Sequence, residues 1–512
     1  MRRSVGGIIP PSRGELRRIA DQYGFELSEE EEAFYLQLIE GPLASYRRVG
    51  QIAEPKPEVR HPRTPGRAPV DGENRWNAWY WRCSVKGPSQ GLLSGKTIAV
   101  KDTINVAGVP TRAGSAVMEG YIPDTDATVV QRILDAGGEI VGKATCEDMC
   151  VSGSSITSLP SPVHNPRAPG HSAGGSSSGS AALIADGACD MALGGDQGGS
   201  IRIPAALCGV VGHKPTYGLV PYTGIFPIEN TIDHVGPICR TVADAALLLE
   251  VIAGPDPLDP RQRAGIPPAP YSKALTGDAR GLRVGVVREG FGWEEGAAET
   301  DEIVRRAVSR FEELGARVKE VSIPMHRDGV HIYTPIMFDG AAAQMIRGNG
   351  FGTGWKGYYP TSTIDFYARS RKANADSYSD IVKLIALCGG YMLEKYNGHY
   401  YARAQNQARS LAAAYDAALA EVDVLAMPTT APEGKAMRIS PTPTPEQDVA
   451  EAFRYYANCC PFDVTGHPAL SLPCGEAGGL PVGLMLIGRP FDDATVLRAA
   501  HALEPLVAPR RA

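Results

Sequence analysis

Long apolar runs are missing from this sequence. Even the apolar stretch at residues 181–193 is broken by Asp186, Gly187 and Asp190, well short of the ~18 to 20 residues that a membrane-spanning helix needs. The expectation is a water-soluble protein with no membrane partner. Blocks of positive charge are missing too. No run of five or more Lys and Arg occurs, and 51 basic against 57 acidic residues leave a formal net charge of -6. A phosphate backbone would find no basic face here, so nucleic acid is not an expected partner. Cysteine is sparse, ten in 512 residues, and the pairs Cys146/Cys150 and Cys459/Cys460 lack a zinc-binding spacing. That argues against a disulfide framework and for reduced, mostly buried thiols. With no HExxH and no Cys/His cluster, neither a metal nor a cofactor is expected. Arg2 and Arg3 are followed only by residues 5–9 before Pro10 and Pro11, too short for a secretory apolar region. A cytoplasmic location is therefore expected.

Glycine and proline are abundant instead, 58 and 41 residues, which points to many turns and loops. At 512 residues the chain exceeds the roughly 100 to 200 of one ordinary domain, so a large core with appended parts is expected. Residues 1–85 read as a helical block, with amphipathic stretches at 15–23 and 29–39 and a Pro-rich charged run at 54–70. From Thr97 short apolar runs alternate with helical periodicity: 97–100, 191–193, 282–287 and 317–321 read as strands, and 127–136, 242–252 and 301–315 as helices. This alternation predicts an α/β fold whose large mixed, mostly parallel twisted sheet is covered by helices on both faces. The core spans 86–325, a mainly helical small subdomain is inserted at 326–440 with a strand at 422–427, and 441–512 returns to the core.

Three stretches carry residues suited to chemistry. Gly174-Gly175-Ser176-Ser177-Ser178-Gly179-Ser180 precedes an apolar helix, where backbone N–H groups and hydroxyls suit developing negative charge. Taken alone it reads more readily as a capping loop, and it lacks the lysine of a phosphate-binding loop. In the second stretch Ser200 follows Gly198 and Gly199 at the end of an apolar strand. Consecutive glycines let amide groups converge on one point, and a hydroxyl closing that loop can attack the carbonyl they polarise. The plainer alternative is a tight turn in which Asp196 and Arg202 pair. Third, Lys101 closes the apolar run 97–100. Such lysines usually snorkel to water; a buried one favours the neutral amine and can serve as a base. A serine nucleophile with a lysine base needs neither histidine nor acid.

Together these stretches resemble the amidase-signature hydrolases. That family's block is a Gly/Ser-rich loop, then Asp-x-Gly-Gly-Ser-Ile-Arg-Ile-Pro-Ala, then Cys-Gly-x-x-Gly-x-Lys-Pro-Thr. Here it reads as residues 174–180, 196–205 and Cys208-Gly209-Val210-Val211-Gly212-His213-Lys214-Pro215-Thr216. The separations, 75 residues from Lys101 to Ser176 and 24 from Ser176 to Ser200, are similar to the family's. The resemblance covers residues 90–325 well and 420–505 more loosely, through Pro428-Thr429 and residues 466–473. Asp196-Gln197-Gly198-Gly199-Ser200, His213, residues 220–224 and the helical N-terminal block look most like the stand-alone amidases associated with nitrile hydratases. In those a helical N-terminal domain accompanies dimers, so the resemblance implies a homodimer through residues 1–85.

The resemblance implies Ser200 as nucleophile, Ser176 as a bridging serine preceded by a cis peptide, and Lys101 as general base. It implies an oxyanion hole from the amides of Gln197, Gly198, Gly199 and Ser200, with Ser177, Asp196 and Arg202 as structural support. The implied reaction is cleavage of a small carboxamide to acid and ammonia or amine through a serine acyl-enzyme, with carbamates and anilides as alternative substrates. Ser178, Gly195 and Gln197 depart from the family's usual residues. Two rival readings remain. Gly175-Ser176-Ser177-Ser178-Gly179 also fits G-x-S-x-G, so Ser177 could serve an esterase with Asp463 and either His467 or His501; His171, His213 and His234 read as structural or pocket-lining. The other rival is the amide-transferring subunit of a tRNA amidotransferase. Tyr333, Phe338, Met345, Trp355, Tyr358 and Tyr359 are either pocket walls or ordinary core.

Overall fold

The computed structural model describes residues 7–70, 72–263, 269–293, 298–431 and 434–507. It divides into two compact units, Met1–Glu58 and Val59–Ala512. In the first, the helices Arg13–Tyr23 and Glu29–Val49 start on the same device: Ser12 and Ser28 accept the backbone N–H of Glu15 and Glu31, whose carboxylates reach back to the cap. Orphan N–H groups at each helix start are thereby satisfied. Arg17 pairs with the buried Glu32 across the two helices. Much apolar surface stays uncovered within this unit, since Tyr23, Phe25, Phe34, Tyr35 and Leu38 are exposed.

The division falls at 58/59 rather than near 85. Residues 59–85, assigned to the helical block from sequence, instead supply strands β1 (Arg63–Arg67) and most of β2 (Trp79–Lys86). β2 hydrogen-bonds antiparallel to β4 (Glu139–Ala144), with Trp79 opposite Ala144 and Lys86 opposite Glu139. Pairing along a whole strand ties that segment to the sheet, which its Pro-rich approach had disguised.

Among the described residues the sheet has twelve strands. Besides β1, β2 and β4 it contains β3 (Thr97–Lys101), β7 (Met191–Asp196), β8 (Val211–Lys214), β9 (His234–Cys239), β10 (Arg283–Val287), β11 (Arg317–Val321), β12 (Val424–Pro428), β13 (Ala469–Ala477) and β14 (Leu480–Ile487). Their order is β1-β2-β4-β3-β7-β9-β8-β13-β14-β12-β10-β11. A two-stranded ribbon, β5 (His164–Asn165) with β6 (Ala168–Ser172), stands apart. The α/β class and the large mixed sheet are as expected, but the parallel majority is not. Only β3–β4, β3–β7, β10–β11 and β10–β12 are parallel; the other neighbours are antiparallel. The physical reason lies in burial. β7, β9 and β12 are buried at every residue, and a strand covered on both faces reads as one apolar run whichever way it points. β13 and β14 are joined only by Gly478 and Gly479, both at positive φ, the backbone that a two-residue hairpin turn requires.

The segment expected as a helical insertion is helical: Gly329–Ala341, Thr361–Asn374, Asp380–Tyr396 and His399–Glu421 precede the return to the sheet at β12. Among the described residues no helix is long and apolar enough to cross a membrane.

Two neighbouring strands place the chemistry. β3 and β7 run parallel with Val100 opposite Leu193, so Lys101 and the loop that leaves β7 emerge at the same end of the sheet. In α/β sheets the carboxyl ends of parallel strands are where ligand sites form.

Candidate active site

Lys101 is the last residue of β3 and is 1% exposed. Its Nζ donates to Ser176 Oγ at 2.8 Å and to the carbonyl oxygen of Gly195 at 3.2 Å. Among the described residues no carboxylate lies within ion-pair reach of it. Of the other lysines buried nearby, Lys143 pairs with Asp102 at 3.1 Å, and Lys214 donates to the Pro215 carbonyl, with burial pushing it down to about 8.

Ser176 follows a cis peptide bond to Gly175, as the resemblance implied, and is fully buried. Two residues on, the helix Ser178–Asp186 begins. Ser177 fastens this loop to β7, since its Oγ accepts the Gly195 N–H and donates to the Gly195 carbonyl, both at 3.1 Å. Its own N–H donates to the Ser200 carbonyl at 3.2 Å. Ser178 Oγ, in place of the family's glycine, is buried with no hydrogen-bond partner.

Ser200 closes the loop after β7 and is 8% exposed. Asp196 organises this loop. Its carboxylate accepts the N–H groups of Gly199 at 2.5 Å and Ile201 at 3.0 Å, and Arg202 grips both of its oxygens at 3.0 Å. Burial opposes ionisation of Asp196, but the Arg202 guanidinium outweighs it and holds the carboxyl well below the usual range. Arg202 also donates to the Cys459 carbonyl at 2.9 Å and to Asp463 at 2.7 Å. Burial, then the charge of Asp196, pushes Asp463 well above the usual range. The loop thus hangs on a buried acid–base cluster.

Contrary to the oxyanion role that the resemblance implies for it, Gly199 directs its N–H to Asp196 Oδ1, because at φ 129° its backbone turns back toward the end of β7. The N–H groups of Gln197, Gly198 and Ser200 make no hydrogen bond to the described residues. A Cβ on Gly198 would stand 2.5 Å from the Tyr333 hydroxyl oxygen, so a side chain there would have to displace Tyr333 or the loop. Among the described residues no hydrogen bond joins the hydroxyls of Ser176 and Ser200; such contacts are often long in free enzymes and tighten when substrate arrives.

A pocket opens in front of Ser200, with Gln197 and Gly198 on one side and Tyr333, Met337, Phe453 and Tyr456 as apolar walls. Of the aromatic candidates from the helical segment only Tyr333 lines it. Phe338 stacks behind Phe453, Met345 is core, and Trp355 and Tyr358 line a separate recess with Tyr222 and Arg261, where Tyr359 packs on Trp355. Sequence reasoning missed Cys150, Phe453 and Tyr456; the cluster Phe453-Arg454-Tyr455-Tyr456 was the available signal for the last two. The esterase set does not assemble. Ser177 is bonded to Gly195, Asp463 to Arg202, His467 to Thr465 and Asp416, and His501 lies beside Glu504. His213 bonds to Asp493 and His234 to the Ile232 carbonyl, both structural attachments. Among the described residues no group of three or more His, Cys, Asp or Glu could hold a metal ion.

Known proteins carry the same architecture. An enantioselective amidase of Rhodococcus rhodochrous is 46% identical over 504 residues, covering 97% of this chain and 96% of the relative. A glutamyl-tRNA(Gln) amidotransferase subunit from Methanosarcina acetivorans is 39% identical over 418 residues, 81% of this chain and 85% of its own. The crystal structure of a native peptide amidase from Stenotrophomonas maltophilia superposes with a TM-score of 0.68 at 30% identity, over 82% of this chain and 84% of that one. With the Amidase family matching residues 70–497, the chain belongs to the amidase-signature family of amide-hydrolysing enzymes.

Proposed function

We propose that this amidase cleaves a small carboxamide to a carboxylic acid and ammonia or an amine through an acyl-enzyme on Ser200. The observation that carries the reading is the 2.8 Å hydrogen bond from the buried Lys101 Nζ to Ser176 Oγ, since it joins an amine with no counter-ion among the described residues to a hydroxyl on the neighbouring loop. In the reaction uncharged Lys101 takes the Ser176 proton as Ser176 takes that of Ser200. The Ser200 oxygen then attacks the amide carbon. Negative charge on the former carbonyl oxygen meets the unengaged N–H groups of Gln197, Gly198 and Ser200. The proton returns through Ser176 to the leaving nitrogen, the C–N bond breaks, and water repeats the sequence to release the acid.

The pocket walls favour an apolar or aromatic acyl group, with anilides and carbamates on the same site as alternatives. The reading includes a cytoplasmic homodimer joined through the N-terminal helices, supported by the apolar side chains those helices expose. A panel of amides assayed for ammonia or amine release, without glutamine or tRNA, tests the function. Wild type should turn over, and Ser200→Ala and Lys101→Ala should each lose ~10² to 10³-fold or more. Turnover surviving in Ser200→Ala would overturn the assignment. Sedimentation of the full chain beside a Phe34→Ser/Leu38→Ser variant tests the dimer, which should dissociate.

A further inference from the structure

The pocket holds a nucleophile that the proposed reaction leaves unused. Cys150 lines it together with Gln197, Gly198 and Ser200. At 4% exposed it is comparable to Ser200, and its thiol is free. It ends the short turn Asp148–Cys150, in which Met149 and Cys150 both have positive φ, 46° and 62°. Non-glycine residues seldom occupy that region, and they persist there only where the surroundings fix them. Burial alone would raise the thiol, but the neighbouring Cys146 thiol, Lys101 and the Ser176 hydroxyl outweigh it and bring Cys150 below its ordinary value. Cys146 is pushed well up, chiefly by burial. The two cysteines therefore differ: Cys146 is a core thiol that burial raises, whereas Cys150 lines the pocket and is lowered by its neighbours.

Two further groups in this pocket call for a ligand with amide chemistry. Gln197 donates its Nε2 to Tyr222 Oη at 2.9 Å, while its Oε1 has no hydrogen-bond partner although the side chain is only 4% exposed. The Tyr333 hydroxyl lies over Gly198 and makes no hydrogen bond to a described residue. An unpaired acceptor and an unpaired hydroxyl beside open backbone N–H groups match the N–H and C=O of a carboxamide.

We propose that Cys150 is a covalent modification site for small carboxamides with an electrophilic carbon next to the carbonyl, the α-haloacetamide class. Such a molecule enters as a substrate mimic. The Cys150 thiolate attacks the α carbon, a C–S bond forms, the C–halogen bond breaks and halide leaves with the electron pair. The thiol proton passes to solvent. The resulting thioether fills the space before Ser200 and stops turnover. Recognition of the amide rests on the proposed function, whereas labelling of the thiol can be read without any turnover.

The test treats the full chain with 2-chloroacetamide and follows residual amide hydrolysis beside peptide mapping by mass spectrometry. Label should appear on Cys150 in step with the loss of activity, and benzamide should slow both. The exposed Cys388 should be labelled without consequence, so Cys388→Ala should inactivate as fast as wild type. Cys150→Ala, relative to its own starting rate, should inactivate at least tenfold more slowly. Label confined to Cys388, or equal inactivation of Cys150→Ala, would overturn the proposal. If the chain hydrolyses no amide yet Cys150 is labelled and protected by benzamide, the modification site stands and the proposed function falls. Turnover that depends on Ser200 while Cys150 stays unlabelled would instead remove the modification site and leave the proposed function standing.

Discussion

The Tyr333 hydroxyl oxygen sits where a Cβ on Gly198 would stand, 2.5 Å away. Tyr333 comes from the helix Gly329–Ala341 and Gly198 from the loop after β7, so the helical segment presses directly on the proposed oxyanion amides. Gly198→Ala should force that loop away from Tyr333 and cost about 10²-fold in kcat, the loss of one oxyanion donor. Adding Tyr333→Phe to the same chain should restore part of the rate by removing the clashing oxygen. Steady-state kinetics on the single and double variants check this; an unimpaired Gly198→Ala would mean that the amide is not used.

Arg202 should matter more to the fold than to any substrate. It is fully buried and bridges Asp196, Asp463 and the Cys459 carbonyl. Arg202→Met would leave Asp196 charged, buried and unpaired, at a cost of about 3 to 5 kcal/mol. Denaturant unfolding should show that loss, and activity should fall as well because Asp196 holds the Gly199 and Ile201 amides. A variant that unfolds like wild type would remove Arg202 from the support of the loop.

His326 should make the protein acid-sensitive. It lies between Tyr415 Oη at 2.6 Å and Asn458 Oδ1 at 3.0 Å, and burial pulls it from 6.5 down to about 4. Between those pH values the unfolded chain binds a proton that the native protein refuses, so this site's contribution is fully present above pH 6.5 and is lost as pH falls toward 4. The slope from one such group is at most about 1.4 kcal/mol per pH unit. Unfolding free energies measured across this window should fall less steeply for His326→Gln than for wild type. Parallel slopes would refute the assignment.

Much of this site was legible in the sequence because its chemistry is carried by residue type at a fixed spacing. Lys101, Ser176 and Ser200 stand out through the resemblance to the amidase-signature block, since each stretch alone reads as readily as a loop, a turn or a surface lysine, and the register of β3 on β7 is what brings the lysine beside those loops. The direction of strands was not legible: Asp196 faces His234 across an antiparallel pair, and nothing in two buried apolar runs encodes that. Nor was the Gly199 N–H, whose target depends on one backbone angle. Tyr333 stood among six aromatic and sulfur-bearing candidates, and only tertiary packing selects it. Cys150 reads from the sequence as one more buried thiol, because only the fold brings Lys101 and Ser176 beside it.

Adjacent glycines at the end of β7 should respond oppositely to the same change. A Cβ on Gly194 would meet Ser177 Oγ, Ile201 Cγ1 and Ile238 Cδ1, each at 2.9 Å, and all three belong to buried residues. Gly194→Ala should therefore overpack the core and cost about 1 to 3 kcal/mol. A Cβ on Gly195 would meet Gln197 Nε2, the His234 carbonyl oxygen and Lys101 Nζ, each at 3.6 Å, ordinary contact distances. Gly195→Ala should stay within about 0.5 kcal/mol of wild type, and its carbonyl can still accept from Lys101 and Ser177. Thermal unfolding of the two variants side by side separates these outcomes. Equal stabilities would show that the loop after β7 yields freely, and a loop that yields could not hold Ser200 against the pair formed by Lys101 and Ser176.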